Sequence, residues 1–232
     1  SAMDKYGKTV KKCETILSDY PDSKYIIDAR LLMGKARYYR SEYDLAIDDL
    51  NEVKMNGVDN QIDEASYWQA LCKAKKGSVQ SALNELNRLL KESNSEDIIA
   101  MCHRSLANLY EENNEYDVTL FHLKRAGELT KVSGEKALIY DKIAQKAFDS
   151  GDYDLSMNSY DMVTTNSLSK EKIEHSHLQI LKILRIQKKY DKAEKKIKSL
   201  LTNDKFNRIS GELELELVQL YRAQGENSEI ET

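Results

Sequence analysis

The sequence repeats itself at a nearly constant pitch, and this feature constrains the fold more than any other. One position per copy, usually a tyrosine, recurs every 36 or 37 residues: Tyr6, Tyr43, Val79, Tyr116, Tyr153, Tyr190 and Asn227. We call these positions the repeat marks. A fixed period of about 20–50 residues is the signature of a protein built from stacked copies of one small unit. We therefore interpret the chain as such an array.

Small and apolar residues recur at fixed distances from the marks. Small residues lie nine before the mark (Gly34, Ala70, Ala107, Ala144) and three after it (Thr9, Ala46, Ala82, Thr119, Ser156, Ala193). Residues typical of a core lie seven after the mark (Cys13, Leu50, Leu86, Leu123, Tyr160, Ile197) and ten after it (Ile16, Val53, Leu89, Ala126, Val163, Leu200). Steps of three and four residues place side chains on one helix face. Each copy is therefore predicted to be two amphipathic helices joined by a short turn.

The small residues predict where the two helices of a copy cross. Antiparallel helices joined by a short turn approach most closely where their side chains are small. A leucine at Gly34 or Ala107 would overpack that crossing at a cost of roughly 1–3 kcal/mol. Leu181 and Val218 occupy the same position in the last two copies, so we expect those crossings to be wider.

These columns resemble the tetratricopeptide repeat, and the resemblance covers nearly the whole chain. The matching residues are the Gly or Ala of the first helix, the Tyr near the turn, the Ala at the crossing and the apolar residue four positions later. The resemblance implies an all-α fold, an α-solenoid of about 12 helices with no β-sheet, and we expect it to coil right-handed. The usual period is about 34 residues, so we place the extra residues of this chain in the polar connections between copies.

The repeat phase divides the chain into a single predicted array, 1–232. It comprises a half repeat, five complete repeats and a partial repeat, at 4–19, 27–57, 63–93, 100–131, 137–166, 174–203 and 211–232. Glu212–Glu216 alternates polar and apolar residues like a strand, but its phase predicts a helix. Both ends fall inside a repeat without a polar capping element. We therefore expect the sequence to be a piece of a longer chain whose open ends allow oligomerisation.

Composition and motifs argue against several classes of function. The net charge is −4 and the pI is about 5.7, which argues against general nucleic-acid binding. No segment approaches the ~20 apolar residues of a membrane span. We find no glycine-rich phosphate loop, metal-ligand spacing or activated nucleophile, so we predict no catalytic residues, no metal and no cofactor. Cys13, Cys72 and Cys102 are interpreted as core residues, and the histidines (His103, His122, His175, His177) as satisfied or solvated side chains.

The first helices carry the predicted partner-binding residues. Positions twelve, eight and five before the marks point into the expected concave groove, and they vary in charge, size and aromaticity. The candidates are Lys35, Tyr38, Tyr39, Tyr67, Leu71, Arg104 and Asn108. Aromatic and basic side chains of this kind could anchor a partner peptide or helix. The alternative for the aromatic residues, including Trp68, is packing between repeats.

Two further readings concern charged partners. Some tetratricopeptide proteins hold a peptide's terminal carboxylate with Lys, Asn and Arg side chains of three successive repeats. Arg104 and Asn108 resemble the first two residues of that clamp. The following repeats have Lys142, His175 and Gln179 where the clamp has Asn, Lys and Arg, so the resemblance is partial. One basic stretch, Lys182, Arg185, Lys188, Lys189, Lys192, Lys195, Lys196 and Lys198, includes Asp191 and Glu194. It is either a solvated helical hairpin or a site for an acidic partner.

The predicted function is a non-enzymatic protein–protein interaction scaffold. Tyr20-Pro21-Asp22-Ser23, followed by Ala29 and Gly34, resembles the joint of bacterial cell-envelope tetratricopeptide proteins, such as outer-membrane assembly lipoproteins and periplasmic division-coordinating factors. That match covers about residues 6–50. A regulatory segment of a larger signalling protein is the other alternative. The sequence does not identify the partner, and it leaves the cytoplasm, the bacterial periplasm and the outer membrane open as compartments.

Overall fold

The computed structural model describes residues 2–225 and consists of helices. The α-helices are α1 (Ala2–Asp19), α2 (Ile26–Tyr39), α3 (Tyr43–Asn56), α4 (Asp59–Lys75), α5 (Val79–Glu92), α6 (Glu96–Glu112), α7 (Tyr116–Leu129), α8 (Ser133–Asp149), α9 (Tyr153–Asn166), α10 (Lys170–Ile186), α11 (Tyr190–Leu201) and α12 (Ser210–Gln224). A 3₁₀ helix, Asp204–Ile209, precedes α12. No β-strand occurs in residues 2–225, which confirms the all-α prediction. The repeat position Asn227 and the predicted end of the last repeat, 228–232, lie outside the described residues.

Each repeat mark within 43–190 is the first residue of a second helix, α3, α5, α7, α9 or α11. Two residues before the mark, the backbone takes a left-handed conformation: φ is positive at Ser41, Gly77, Asn114, Gly151, Lys188 and Gly225. A residue of this kind ends a helix and reverses the chain. The turn between the two helices is therefore the same in the five copies with marks from Tyr43 to Tyr190, although only some of them use glycine.

The extra residues of the 37-residue period lengthen the first helices. α4, α6, α8 and α10 each have 17 residues. Their first turns include polar residues that fall between the predicted repeats, such as Asp59-Asn60-Gln61 and Glu96-Asp97. Capping explains these starts, because the hydroxyl of Ser95 accepts a hydrogen bond from the amide of Ile98 at the start of α6. The placement of the extra residues in the connections was therefore wrong.

The core follows the predicted columns. The residues seven after the marks are all buried in α1, α3, α5, α7, α9 and α11: Cys13, Leu50, Leu86, Leu123, Tyr160 and Ile197. At the crossing of α2 and α3, a Cβ on Gly34 would lie 2.8 Å from Cγ of Leu50. The helices are therefore so close there that only glycine fits without a shift of Leu50.

Contacts divide the chain into two compact units, Ser1–Leu129 (unit 1) and Thr130–Thr232 (unit 2), which we describe separately. Unit 1 contains α1 to α7, and unit 2 contains α8 to α12. In both units, neighbouring helices pack in sequence order, and first helices also contact the next first helix, as α2 contacts α4 and α10 contacts α12. The single array 1–232 stays a prediction.

Candidate functional site

One face of α2 in unit 1 is not covered by α3. Leu32, Lys35 and Tyr39 follow one another at helical spacing on this face, and Leu32 and Tyr39 are 49% and 47% exposed. The opposite side of the helix packs into the core through Met33, which is 2% exposed. This α2 face therefore presents two large apolar side chains to solvent in unit 1.

Lys35 links α2 to α4. Its Nζ lies 2.6 Å from Oε1 of Glu64 and 5.8 Å from the centre of the Trp68 ring. The indole of Trp68 donates a hydrogen bond to the same carboxylate oxygen over 3.4 Å. A second link joins Gln61 and Asp28, whose side-chain atoms lie 2.6 Å apart. These bonds fix α2 and α4 side by side, so the face between them is a preformed surface.

Aromatic rings pack together beside this link. We call Tyr6, Tyr38, Tyr39, Tyr43, Tyr67 and Trp68 the aromatic cluster; its ring centres lie 4.7–5.8 Å apart. Tyr39 stacks on Tyr6 with 12° between the ring planes, while Tyr38 is half-buried and burial raises its pKa to about 12. Tyr39 is therefore the most exposed tyrosine of α2 and α4, and neighbouring rings hold it in place.

Tyr67 and Trp68 lie inside the core. Tyr67 is 3% exposed, its hydroxyl lies 2.9 Å from Oγ of Ser105 on α6, and burial raises its pKa. Trp68 is 7% exposed. The expectation that Tyr67 faces a partner therefore needs correction, because this side chain joins α4 to α6. Packing between repeats, the alternative stated for these aromatics, describes it instead.

The remaining candidates of unit 1 differ in exposure. Leu71 is half-buried against the core, Arg104 is half-buried with its guanidinium next to the Tyr67 hydroxyl, and Asn108 is exposed. Leu71 on α4 and Asn108 on α6 occupy the repeat position of Lys35, eight before the mark, and Arg104 lies one turn earlier on α6. Of the partial clamp, Lys142 and His175 are exposed and Gln179 is half-buried in unit 2.

Two buried histidines form a pair that the sequence did not predict. Nδ1 of His103 on α6 and Nδ1 of His122 on α7 lie 2.8 Å apart, and Tyr110 stacks on His122. Burial and the neighbouring histidine lower the pKa of His103 to about 4, and burial lowers that of His122. Both rings are therefore neutral at pH 7, and one donates a hydrogen bond to the other.

The equivalent positions of another copy also form a contact. His103 lies thirteen before its mark and His122 six after its mark; Arg30 and Asp49 occupy the same two positions in an earlier copy and form an ion pair of 2.9 Å. We call these two positions the facing pair, because they face each other across the two helices of a copy. Comparing them along the sequence would have suggested that His103 contacts His122.

Two buried cysteines are held in their unreactive thiol form. Burial raises the pKa of Cys72 to about 11 and that of Cys102 to about 12, so both remain thiols at neutral pH. No group of three or more metal-binding side chains occurs in the part of the chain that the structure describes. Likewise, no helix within residues 2–225 combines the length and hydropathy needed to cross a bilayer.

Comparisons with known proteins identify the fold. No protein-family model and no curated protein matches the chain. Solved structures do match: the MamA protein (17% identity, 82% of this chain and 96% of that chain, TM-score 0.52), and the C-terminal part of a TPR repeat-containing protein from Cytophaga hutchinsonii (11% identity, 94% and 89%, TM-score 0.56). The Cut9–Hcn1 hetero-tetramer of the APC/C also matches (13% identity, TM-score 0.52); the match covers 95% of this chain and 40% of the Cut9–Hcn1 chain. At these identities the likeness concerns the fold alone, which is tetratricopeptide-like.

Proposed function

We propose that this tetratricopeptide-like chain is a non-enzymatic scaffold that binds a peptide or helix of a partner protein on the α2 face of unit 1. The observation that carries the proposal is the exposure of Tyr39 and Leu32 on this otherwise well-packed surface. Exposed aromatic and aliphatic side chains on a rigid support are typical anchors of protein interfaces. The use of this fold for protein interactions in other proteins supports the same class of function.

The neighbouring polar groups supply the rim of such a site. Lys35 and Glu64 present one charge of each sign next to Trp68, and Asn108 places an exposed polar side chain on α6. Leu71 and Arg104 extend the surface between them. A bound segment would therefore place an apolar side chain against Tyr39 and Leu32 and its polar backbone groups along α4 and α6.

Peptide selection tests the proposal without knowledge of the natural partner. Peptides are selected from a displayed random library against the whole chain, and their affinities for variants are measured by fluorescence anisotropy. We expect Tyr39→Ala to weaken binding at least tenfold, the effect of losing an interface anchor of about 1.4 kcal/mol. Tyr20→Ala is the matched control, because Tyr20 is 64% exposed in the connection between α1 and α2.

The control should change the affinity by less than twofold. Selected peptides that bind Tyr39→Ala as tightly as the unchanged chain would contradict the assignment of the site. Circular dichroism should give the same helix content for both variants, since neither side chain lies in the core.

A bacterial envelope role is a second candidate, favoured by the Tyr20-Pro21-Asp22-Ser23 joint. In the structure the amide of Ser23 donates a hydrogen bond to the carbonyl of Tyr20 over 3.0 Å. The amide of Ile26 donates another to the carbonyl of Ser23 over 3.1 Å. These bonds form a compact turn between α1 and α2. Sequencing the parent reading frame tests this candidate: a signal peptide upstream supports it, and a cytoplasmic partner domain in the same frame contradicts it.

A further inference from the structure

Three large apolar side chains form an exposed line along α2. Tyr25 directly precedes the helix, and Leu32 and Tyr39 follow it at intervals of seven residues. Seven residues are close to two helical turns, so the three side chains lie on one side of α2. All three are half-exposed. We call Tyr25, Leu32 and Tyr39 the α2 stripe.

The repeat position of Leu32 is a helix-packing position in the next two copies. Trp68 occupies it on α4 and packs against Tyr39 of α2, with ring centres 5.6 Å apart. Ser105 occupies it on α6, and its hydroxyl lies 2.9 Å from that of Tyr67 on α4. Both residues are buried by the preceding first helix, whereas Leu32 is exposed within the residues that the structure describes. The α2 stripe is therefore a surface that fits a packed helix.

One negative and one positive charge lie beside the α2 stripe. Asp28 is four residues before Leu32 and Lys35 is three residues after it, and both side chains reach toward α4, where they contact Gln61 and Glu64. An ammonium group has three donors and a carboxylate has about four acceptor sites. Lys35 is half-buried and Asp28 is exposed. Each charged group can therefore form a further contact with a molecule that packs on the stripe.

The pattern of the α2 stripe is its own complement when the helix direction is reversed. In an antiparallel pair of α2 helices that cross at Leu32, Tyr25 of each helix lies opposite Tyr39 of the other, because both are seven residues from the centre. Asp28 of one helix comes within one residue of Lys35 of the other, on the same side of the pair. A parallel pair would instead bring Asp28 against Asp28. A surface that complements itself under a twofold rotation is what a symmetric dimer requires.

We propose that the α2 stripe is a dimer interface on which a second copy of this chain packs its own α2 in the antiparallel direction. The twofold axis passes between the two Leu32 side chains, and each Asp28 forms an ion pair with Lys35 of the other copy. An unrelated helix would need to match this spacing independently, whereas a second copy carries it in its sequence. One helix from each copy is a small contact, so we expect reversible association with a micromolar dissociation constant.

The dimer covers Leu32 and Tyr39, so it would compete with a peptide for the α2 face. This consequence rests on the proposed function, but the dimer itself does not. Association is measured without peptide. A monomeric chain whose selected peptides depend on Tyr39 would overturn the dimer alone, and a dimer whose α2 variants leave peptide affinity unchanged would overturn the peptide site alone.

Charge reversal tests the antiparallel pairing. Sedimentation equilibrium of the whole chain, over a range of micromolar concentrations, measures the dimer. Asp28→Lys and Lys35→Asp should each weaken it at least tenfold, because each turns two symmetric attractions, worth about threefold apiece, into repulsions. When these two variants are mixed in equal amounts, every charge again faces its opposite. The mixture should therefore dimerise at least as tightly as the unchanged chain.

Two exposed charges elsewhere in unit 1 give matched controls. Asp48→Lys on α3 and Lys124→Asp on α7 make the same changes in net charge and should leave the dissociation constant within twofold. An equal loss in these controls would show that net charge governs association and would overturn the proposal. An unchanged chain that stays monomeric, α2 variants that dimerise normally, or a mixture that does not associate would overturn it as well.

A cysteine near the twofold axis gives a test that does not depend on charge or on the folding of the charge variants. Leu32→Cys brings two thiols together in the dimer, and diamide, which accepts their two hydrogens, should join them in a disulfide between copies. Cys13, Cys72 and Cys102 are buried. Leu45→Cys is the control, because Leu45 on α3 is as exposed as Leu32. Covalent dimer at equal yield in both variants, or none with Leu32→Cys, would overturn the proposal.

Discussion

Two copies, one in each unit, use the facing pair differently. The copy of α6 and α7 in unit 1 holds His103 and His122, which are hydrogen-bonded, and the copy of α2 and α3 holds the ion pair of Arg30 and Asp49. The copy of α10 and α11 in unit 2 holds His177 and Lys196; burial and then the lysine lower the pKa of His177, and its Nδ1 is buried without a hydrogen bond within residues 2–225. The same positions therefore stabilise the helix pair in some copies and leave a polar mismatch in others, as at the buried hydroxyl of Ser66 in unit 1.

The crossing of the two helices differs between a copy of unit 1 and the last complete copy of unit 2 as well. Gly34 brings α2 and α3 together in unit 1, whereas Leu181 is fully buried between α10 and α11 in unit 2. α10 and α11 approach each other over fewer residues than α2 and α3 do, as the leucine predicted. The predicted partner segment of Val218 falls outside the described residues, so the expectation for that crossing stays a prediction. One residue position thus sets how closely a helix pair can pack.

Breaking the charged facing pair of unit 1 should have the largest effect. Asp49 is buried, and its two carboxylate oxygens lie 2.9 Å from Arg30 and 2.7 Å from Arg37. Asp49→Ala leaves two guanidinium groups without their carboxylate and should lower the free energy of unfolding by about 3 kcal/mol. Denaturant unfolding measures this, with the exposed neighbour Asp48→Ala as the control. Equal losses in both variants would refute the role of Asp49.

Acid should weaken the histidine facing pair. The folded pKa of His103 is about 4 and that of His122 is lowered, while an unfolded histidine titrates near 6.5. Because the unfolded chain binds more protons below pH 6.5, the stabilisation is complete above that pH and is lost as the pH falls toward 4. We expect a loss of about 2 kcal/mol from this pair.

The variant His103→Gln/His122→Gln isolates this contribution. Its amides can form a hydrogen bond but do not titrate, so its unfolding free energy should fall less between pH 7 and pH 4.5. All other titrating groups are common to the two proteins and cancel in the difference. Identical pH dependence in both would show that the histidines do not control it.

Adding a methyl group to Gly34 tests the close crossing. Gly→Ala within a helix normally gains about 0.5–1 kcal/mol, but a Cβ at Gly34 would lie 2.8 Å from Leu50. We expect Gly34→Ala to cost roughly 1–2 kcal/mol through overpacking. Gly134→Ala is the control, because its Cβ would meet Leu168 at an ordinary 3.7 Å and should not destabilise α8. A gain in both variants, measured by thermal unfolding, would mean that the crossing can relax.

Repairing the mismatch of unit 2 should give the smallest change in stability. Lys196→Asp gives His177 the carboxylate that Arg30 has in unit 1, so the pKa of His177 should rise from about 4 toward its ordinary value of about 6.5. The free energy of unfolding should change by less than about 1 kcal/mol, because the variant gains a partner for His177 but loses the ion pair between Lys196 and Asp161. An NMR titration of the imidazole follows the pKa. A value that stays near 4 would show that burial alone determines it.

The sequence by itself determined the repeat and its core. The pitch, the helix pairs, the buried columns and the close crossing at Gly34 all follow from spacing within one copy, because the two helices of a hairpin are near neighbours in the chain. The sequence also placed Lys35, Tyr38 and Tyr39 on a first helix. It did not fix the length of the first helices, because the polar residues of the connections also cap and begin helices.

The tertiary structure alone decided which side chains are available. Tyr67 is buried because it packs against the next copy and its hydroxyl shares a hydrogen bond with that of Ser105 there. Among the residues that the structure describes, Asp154 of the preceding copy forms an ion pair with Lys189 and not with the adjacent Lys188. Partners of this kind lie more than thirty residues away in sequence and vary from copy to copy. A repeat pattern therefore predicts positions, whereas burial and charge pairing depend on what each neighbouring copy places opposite them.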